Sequence, residues 1–202
     1  LLKVFKFGGA SVKDAQGVKN VATVLQKTEE EDLVVVVSAM GKMTNALEGV
    51  VTRYFKEPGS YRESQQLLLD YHLPILKELF NNASHPIFSR LQELVTELGQ
   101  FLQQNKSTNH AFVYDQVVCF GELISTSIVS AYLNHVGIAN TWLDVRNCII
   151  TDNKYRDAKV DWEVTQQNIS NKVSKQGITV TQGFLGAEGN NNFTTTLGRE
   201  GS

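Results

Sequence analysis

The residues of this chain best suited to chemistry sit at glycine turns. Lys3-Val4-Phe5-Lys6-Phe7 has strand propensity and halts at Gly8-Gly9, with Ala10 and Ser11 following. Such a pair allows positive φ and close approach by another molecule, because no Cβ intervenes. Successive backbone N–H groups in a turn of this kind can form a concave anion site, and Lys6 adds a cation beside it. A tight strand-to-helix turn with a snorkelling lysine would read the same way. Three more turns carry polar groups: Ser38-Ala39-Met40-Gly41 with Thr44 just beyond, Thr181-Gln182-Gly183-Phe184, and Leu197-Gly198-Arg199-Glu200-Gly201-Ser202. Glu122 opens a run, Gly121 to Leu133, that is apolar or small on nearly every helical face. A carboxylate in such a helix is costly unless it caps the first turn or meets a cationic ligand.

Other chemistries find little support. Gly41-Lys42 is followed by Met43 where a Walker A motif needs Ser or Thr, and Gly183 to Gly186 fails the dinucleotide fingerprint. No Cys–His or Ser–His arrangement suggests nucleophilic hydrolysis. His72, His85, His110 and His135 lack metal-site spacing, so no protein-held metal is expected. Cys119 and Cys148 read as free thiols of a reducing, cytoplasmic setting. A net charge of −2 gives no general bias toward nucleic acid or membrane, and no partner of either kind is expected. Glycine turns, a lysine and hydroxyls do suit phosphoryl transfer, which depends on positioning and charge neutralisation.

The elements that must position these groups follow from periodicity. Asp14 caps a helix with Val18, Val21, Ala22 and Leu25 on one face. Leu33 to Val37 is an unbroken β-branched run, as expected of a parallel strand buried on both faces. Strand, helix, strand at this spacing is a βαβ unit, so the Lys6-Gly9 and Ser38-Gly41 turns should meet at one sheet edge. A second helix opens at Met43. Two amphipathic stripes, Leu68 to Leu79 with Pro74 inside and Phe88 to Leu102, make a helical insertion at about residues 60–105. Further strands are expected near 139–143, 148–151 and 178–181. A helix from Asp161 should turn Trp162, Ile169 and Val173 inward, and Asn190-Asn191-Asn192 should form a hairpin tip.

With these motifs in order, the chain resembles the aspartokinases of the amino-acid kinase superfamily. Lys6-Phe7-Gly8-Gly9-Ala10-Ser11-Val12 resembles the opening phosphate motif, with Ala10 where threonine is usual. Ser38-Ala39 with Gly41, Thr44 and Asn45 resembles the second motif, although Lys42-Met43 departs from it. Gly121-Glu122-Leu123-Ile124-Ser125 resembles the third. Thr181 to Phe184 together with Thr194 to Ser202 resembles the fourth.

The resemblance implies a three-layer αβα fold with a mainly parallel sheet. It also implies ATP- and Mg2+-dependent phosphorylation of the L-aspartate side chain to β-aspartyl phosphate, the first step toward lysine, threonine and methionine. By that pattern Lys6 is catalytic, and Lys6, Phe7, Gly8 and Gly9 line the ATP phosphates. Ser38, Thr44, Glu122, Arg199, Glu200, Gly201 and Ser202 bind aspartate, with Glu122 on the ammonium and Arg199 on the α-carboxylate. Residues 1–202 then correspond to the aspartate-binding portion of a kinase domain cut before its nucleotide-binding half, inactive alone and a homo-oligomer when complete. Another carboxylate kinase of the superfamily, or a non-catalytic binding or assembly module, is the alternative.

Overall fold

A computed structural model describes residues 2–28, 30, 32–57, 59 and 61–198. Arg199, Glu200, Gly201 and Ser202, all expected to bind substrate, lie outside the described residues. Four parallel strands form the main sheet: β1 (Lys3–Phe7), β2 (Leu33–Val37), β3 (Asn140–Leu143) and β5 (Ile178–Gln182), in the order β1-β2-β5-β3. Phe7 pairs with Val37, Val37 with Gln182, and Leu143 with Thr181, so all four strands end at one edge. Beside it lies a small sheet of β4 (Ile150–Thr151), β6 (Leu185–Glu188) and β7 (Thr194–Thr196), with β6 and β7 antiparallel.

The helices are α1 (Ala15–Lys27), α2 (Met43–Lys56), α3 (Tyr61–Leu79), α4 (Pro86–Gln104), α5 (His110–His135) and α6 (Trp162–Lys172). α5 lies on β2, β3 and β5, and α2 and α4 pack against α5. Asp14 caps α1 by accepting from the Gly17 amide, and Asp161 caps α6 through Val164. Helix α3 runs through Pro74, which removes one backbone donor from its interior without ending it.

Helix α5 is much longer than the Gly121–Leu133 run suggests. Asn109 caps it by accepting from the Phe112 amide, twelve residues before Gly121. It is long and apolar enough to cross a membrane by composition, yet 78% of its apolar window is buried inside this fold. An all-round apolar helix is thus the core element here.

Two expectations fail for the same reason. Leu33, Val35 and Val37 are fully buried, but Val34 and Val36 are only half-covered. Trp162 is 74% exposed and Ile169 is exposed as well, so only Thr165 of α6 is buried. Among the described residues, α6 is the helix that reaches this face of the sheet, where Ile169 and Val173 line a groove with Val4, Val34 and Val36.

Candidate functional site

The edge where the strands end gathers the turns after β1, β2 and β5. At the end of β1 the chain enters a single 3-10 turn, Gly9–Val12, whose first amides have no intrahelical acceptor. Gly8 has φ −73°, so positive φ is not why glycines stand here. Space is the reason. A Cβ on Gly9 would lie 2.6 Å from the Ala39 carbonyl oxygen and 2.8 Å from that of Gly41, whereas one on Gly8 would meet nothing within 4 Å. Gly9 is the docking point for the second turn, and Gly8 leaves the backbone open. The Ser38 amide donates to Phe7 O (3.0 Å) and the Gly41 amide to Gly9 O (2.9 Å), locking the two turns together. Tyr71 of α3 closes the rear by donating to Lys13 O at 2.7 Å.

Helix α5 supplies the carboxylate. A Cβ on Gly121 would stand 3.0 Å from the Ala39 Cβ and 3.3 Å from Leu47, so only glycine lets the helix approach this closely. Glu122 is consequently buried, with 4% exposure, in mid-helix and not at a first turn. Helix-terminal amides therefore do not satisfy it. Burial holds its carboxyl well above the usual carboxylate range, opposed by the Ala39 amide, the Lys6 charge and the Gly183 amide. Its Oε2 has no hydrogen-bond partner. Residues from β1, the β2 turn, α5 and the β5 turn thus converge on one acidic group. Thr44 lies half-buried in the first turn of α2, next to Met43, whose side chain abuts the Gly121 position.

A buried polar framework fixes these parts. Ser125 Oγ donates to Ser38 O (2.7 Å). Thr126 Oγ1 donates to Glu122 O (2.8 Å) and accepts from Trp142 Nε1 (2.9 Å) and Gln182 Nε2 (2.8 Å). Gln182 Oε1 accepts from the Val145 amide at 2.8 Å. Gln182 immediately precedes Gly183, so this network sets the β5 turn against α5. Sequence reasoning passed over Thr126 and saw Gln182 only as part of its glycine turn, because their partners are distant along the chain.

It also passed over Asp115. This fully buried side chain accepts from the amides of Arg156 and Thr196, both 2.9 Å from Oδ2, and from Thr196 Oγ1, 2.8 Å from Oδ1. Burial raises its pKa to about 6, opposed by those donors and by the Arg156 charge. Among the described residues no three His, Cys, Asp or Glu side chains cluster to hold a metal ion.

Comparison with known proteins agrees with this fold. The chain is 32% identical over 209 residues to aspartokinase 1, chloroplastic, of Arabidopsis thaliana, covering 98% of this chain and 36% of that protein. It is 31% identical over 203 residues to lysine-sensitive aspartokinase 3 of Escherichia coli K12, covering 98% and 44%. The crystal structure of E. coli aspartokinase III with lysine and aspartate superposes with a TM-score of 0.84 at 27% identity, over 100% of this chain and 44% of that one. The complex of the same enzyme with aspartate and ADP gives 0.81 at 29% identity, again over 100% and 44%. The chain therefore spans less than half the length of these relatives. Residues 2–202 match the sequence profile of the amino acid kinase family, and the chain belongs to that family.

Proposed function

We propose that this sheet edge binds L-aspartate and presents its side-chain carboxylate to the γ-phosphoryl group of ATP, yielding β-aspartyl phosphate in the complete protein. The observation carrying this reading is Glu122, a buried carboxylate with an unpartnered oxygen at the glycine turns, within reach of the Lys6 charge. An ammonium group fits that oxygen, and the related E. coli aspartokinase III has been crystallised with aspartate and with ADP.

The chemistry needs little acid–base help. A carboxylic acid with a pKa of about 4 is already ionised at neutral pH, so the nucleophile requires no general base. Its repulsion from the phosphoryl oxygens must be offset, and Lys6 at the strand end is the cation for that task. The open backbone at Gly8 and the tightly docked Gly9 suit close approach by phosphate oxygens. Mg2+ would arrive with the nucleotide phosphates and offset charge there. Glu122 would take the α-ammonium, with Ser38 and Thr44 beside it. Arg199, with Glu200, Gly201 and Ser202, would complete the acceptor site through a planar fork on the α-carboxylate.

Comparing L-aspartate with succinate, which lacks the ammonium, tests the assignment by calorimetric affinity in the complete protein. Glu122→Gln should weaken aspartate by about tenfold or more, about 1.4 kcal/mol, and leave succinate and ATP nearly unchanged. Equal losses for aspartate and succinate, or none for either, would remove Glu122 from substrate recognition.

A further inference from the structure

We propose that Asp115 is a positioning residue for the acceptor site, clamping to α5 both the end of β7 that leads to Arg199 and the 152–158 loop beside it. The inference rests on the aspartate-binding reading above.

Asp115 and Gln116 together act as a side-chain strand for β7. Gln116 Oε1 accepts from the Thr194 amide (3.1 Å) and its Nε2 donates to Thr194 O (2.7 Å). Two residues on, Asp115 takes the Thr196 amide and hydroxyl. The other edge of β7 pairs with β6, and Thr196 O accepts from the Ala158 amide at 3.0 Å. β7 is thus held from both sides, and α5 is the side that also carries Glu122. Seven residues separate Asp115 from Glu122, a rise of about 10 Å along one helix face.

The same carboxylate holds the loop. It takes the Arg156 amide, and Arg156 has φ 71°, which is unfavourable for a residue with a side chain. The Arg156 guanidinium lies over the Tyr114 ring at 4.2 Å and 3.5 Å from Glu48, one turn after Thr44 on α2. The loop in turn flanks Gly198, where a Cβ would lie 3.4 Å from Asp157 Oδ1 and 3.6 Å from Arg156 O. One carboxylate therefore ties α5, the loop and β7 together just before Arg199. A purely apolar residue would fill this space with less desolvation cost but would leave the buried Thr196 amide and the part-buried Arg156 amide unpaired.

The test uses Asp115→Ala, Asp115→Asn and Thr196→Val in the complete protein. Alanine removes all three acceptor contacts and should raise the aspartate KM about tenfold, with the ATP KM within about twofold. Asparagine should restore the aspartate KM to within about threefold of the parent. Its carboxamide oxygen can take both amides and its NH2 can donate to the Thr196 hydroxyl. Thr196→Val removes one contact only and should give a smaller rise, which keeps the test open if the alanine variant does not fold. Amide exchange at Arg156 and Thr196 should quicken in the alanine variant and stay slow in the asparagine variant. A loss confined to melting temperature or active fraction, with both KM values and exchange unchanged, would overturn the inference. So would an asparagine variant as impaired as the alanine one. If the parent protein does not use aspartate, the functional reading fails, and exchange at these two amides still decides whether the clamp exists.

Discussion

Lys6 and Glu122 place opposite requirements on the site. Glu122 is buried, and Lys6 is exposed but close enough for its charge to act on that carboxyl. If Lys6 serves mainly charge that builds up during phosphoryl transfer, its loss should appear in turnover more than in substrate binding. Lys6→Met is expected to lower kcat on the order of 100-fold or more, while the aspartate KM changes by less than about threefold. Steady-state kinetics on the complete protein reads both, and an unchanged kcat would make Lys6 a structural lysine. These two residues were legible because each breaks a local pattern: a cation at a strand end and a carboxylate in an apolar helix. Asp115 breaks the same pattern, but its meaning comes from donors 41 and 81 residues away, which no local spacing reports. Ser38 and Thr44 stood out at a glycine turn, but an aspartate-binding role for them came only from the motif, since hydroxyls near turns are common.

Among the elements, α5 is the one that the sequence showed incompletely. The Gly121–Leu133 run carries the strongest apolar signal, and the preceding turns, with Asp115 and Gln116 among apolar residues, blur it. Helix α6 misled in the other direction, because apolar spacing at Trp162 and Ile169 reports a face and not what covers it. Helix α3 shows a cost that composition alone does not reveal. His72 is fully buried, with Nδ1 2.8 Å from Leu68 O, Nε2 without a partner and the Tyr71 ring 5.0 Å away. Burial lowers its pKa from 6.5 to about 4, with the bond to Leu68 opposing. A depressed folded-state pKa means the unfolded chain binds the proton first. This contribution to stability is therefore present above pH 6.5 and lost as pH falls toward 4, up to roughly 3 kcal/mol. His72→Leu should raise the apparent Tm modestly at pH 7.5 and by several degrees more at pH 5. Thermal melts at the two pH values check this, and a gain that does not grow on acidification would contradict it.

At the scale of the whole molecule, the topology is what turns scattered residues into a site. The βαβ pattern was readable because each strand is short, apolar and bounded by turns, and parallel strands place their ends together. The coverage of the sheet was not readable. Val4, on β1, is 64% exposed and borders the groove that Val34 and Val36 share. Three turns, those after β1, β2 and β5, nevertheless meet at one edge around Glu122, as the main sheet and the network through Thr126 and Gln182 require. On the proposed reading, this edge selects aspartate as phosphoryl acceptor. The most direct measurement incubates the complete protein with ATP, Mg2+ and hydroxylamine, which traps an acyl phosphate as its hydroxamate, and offers aspartate, glutamate and N-acetylglutamate in parallel. Hydroxamate formation with aspartate at least about 100-fold faster than with either alternative is the predicted result. Preferential turnover of glutamate or N-acetylglutamate, or no ATP-dependent hydroxamate from any of the three, would contradict it.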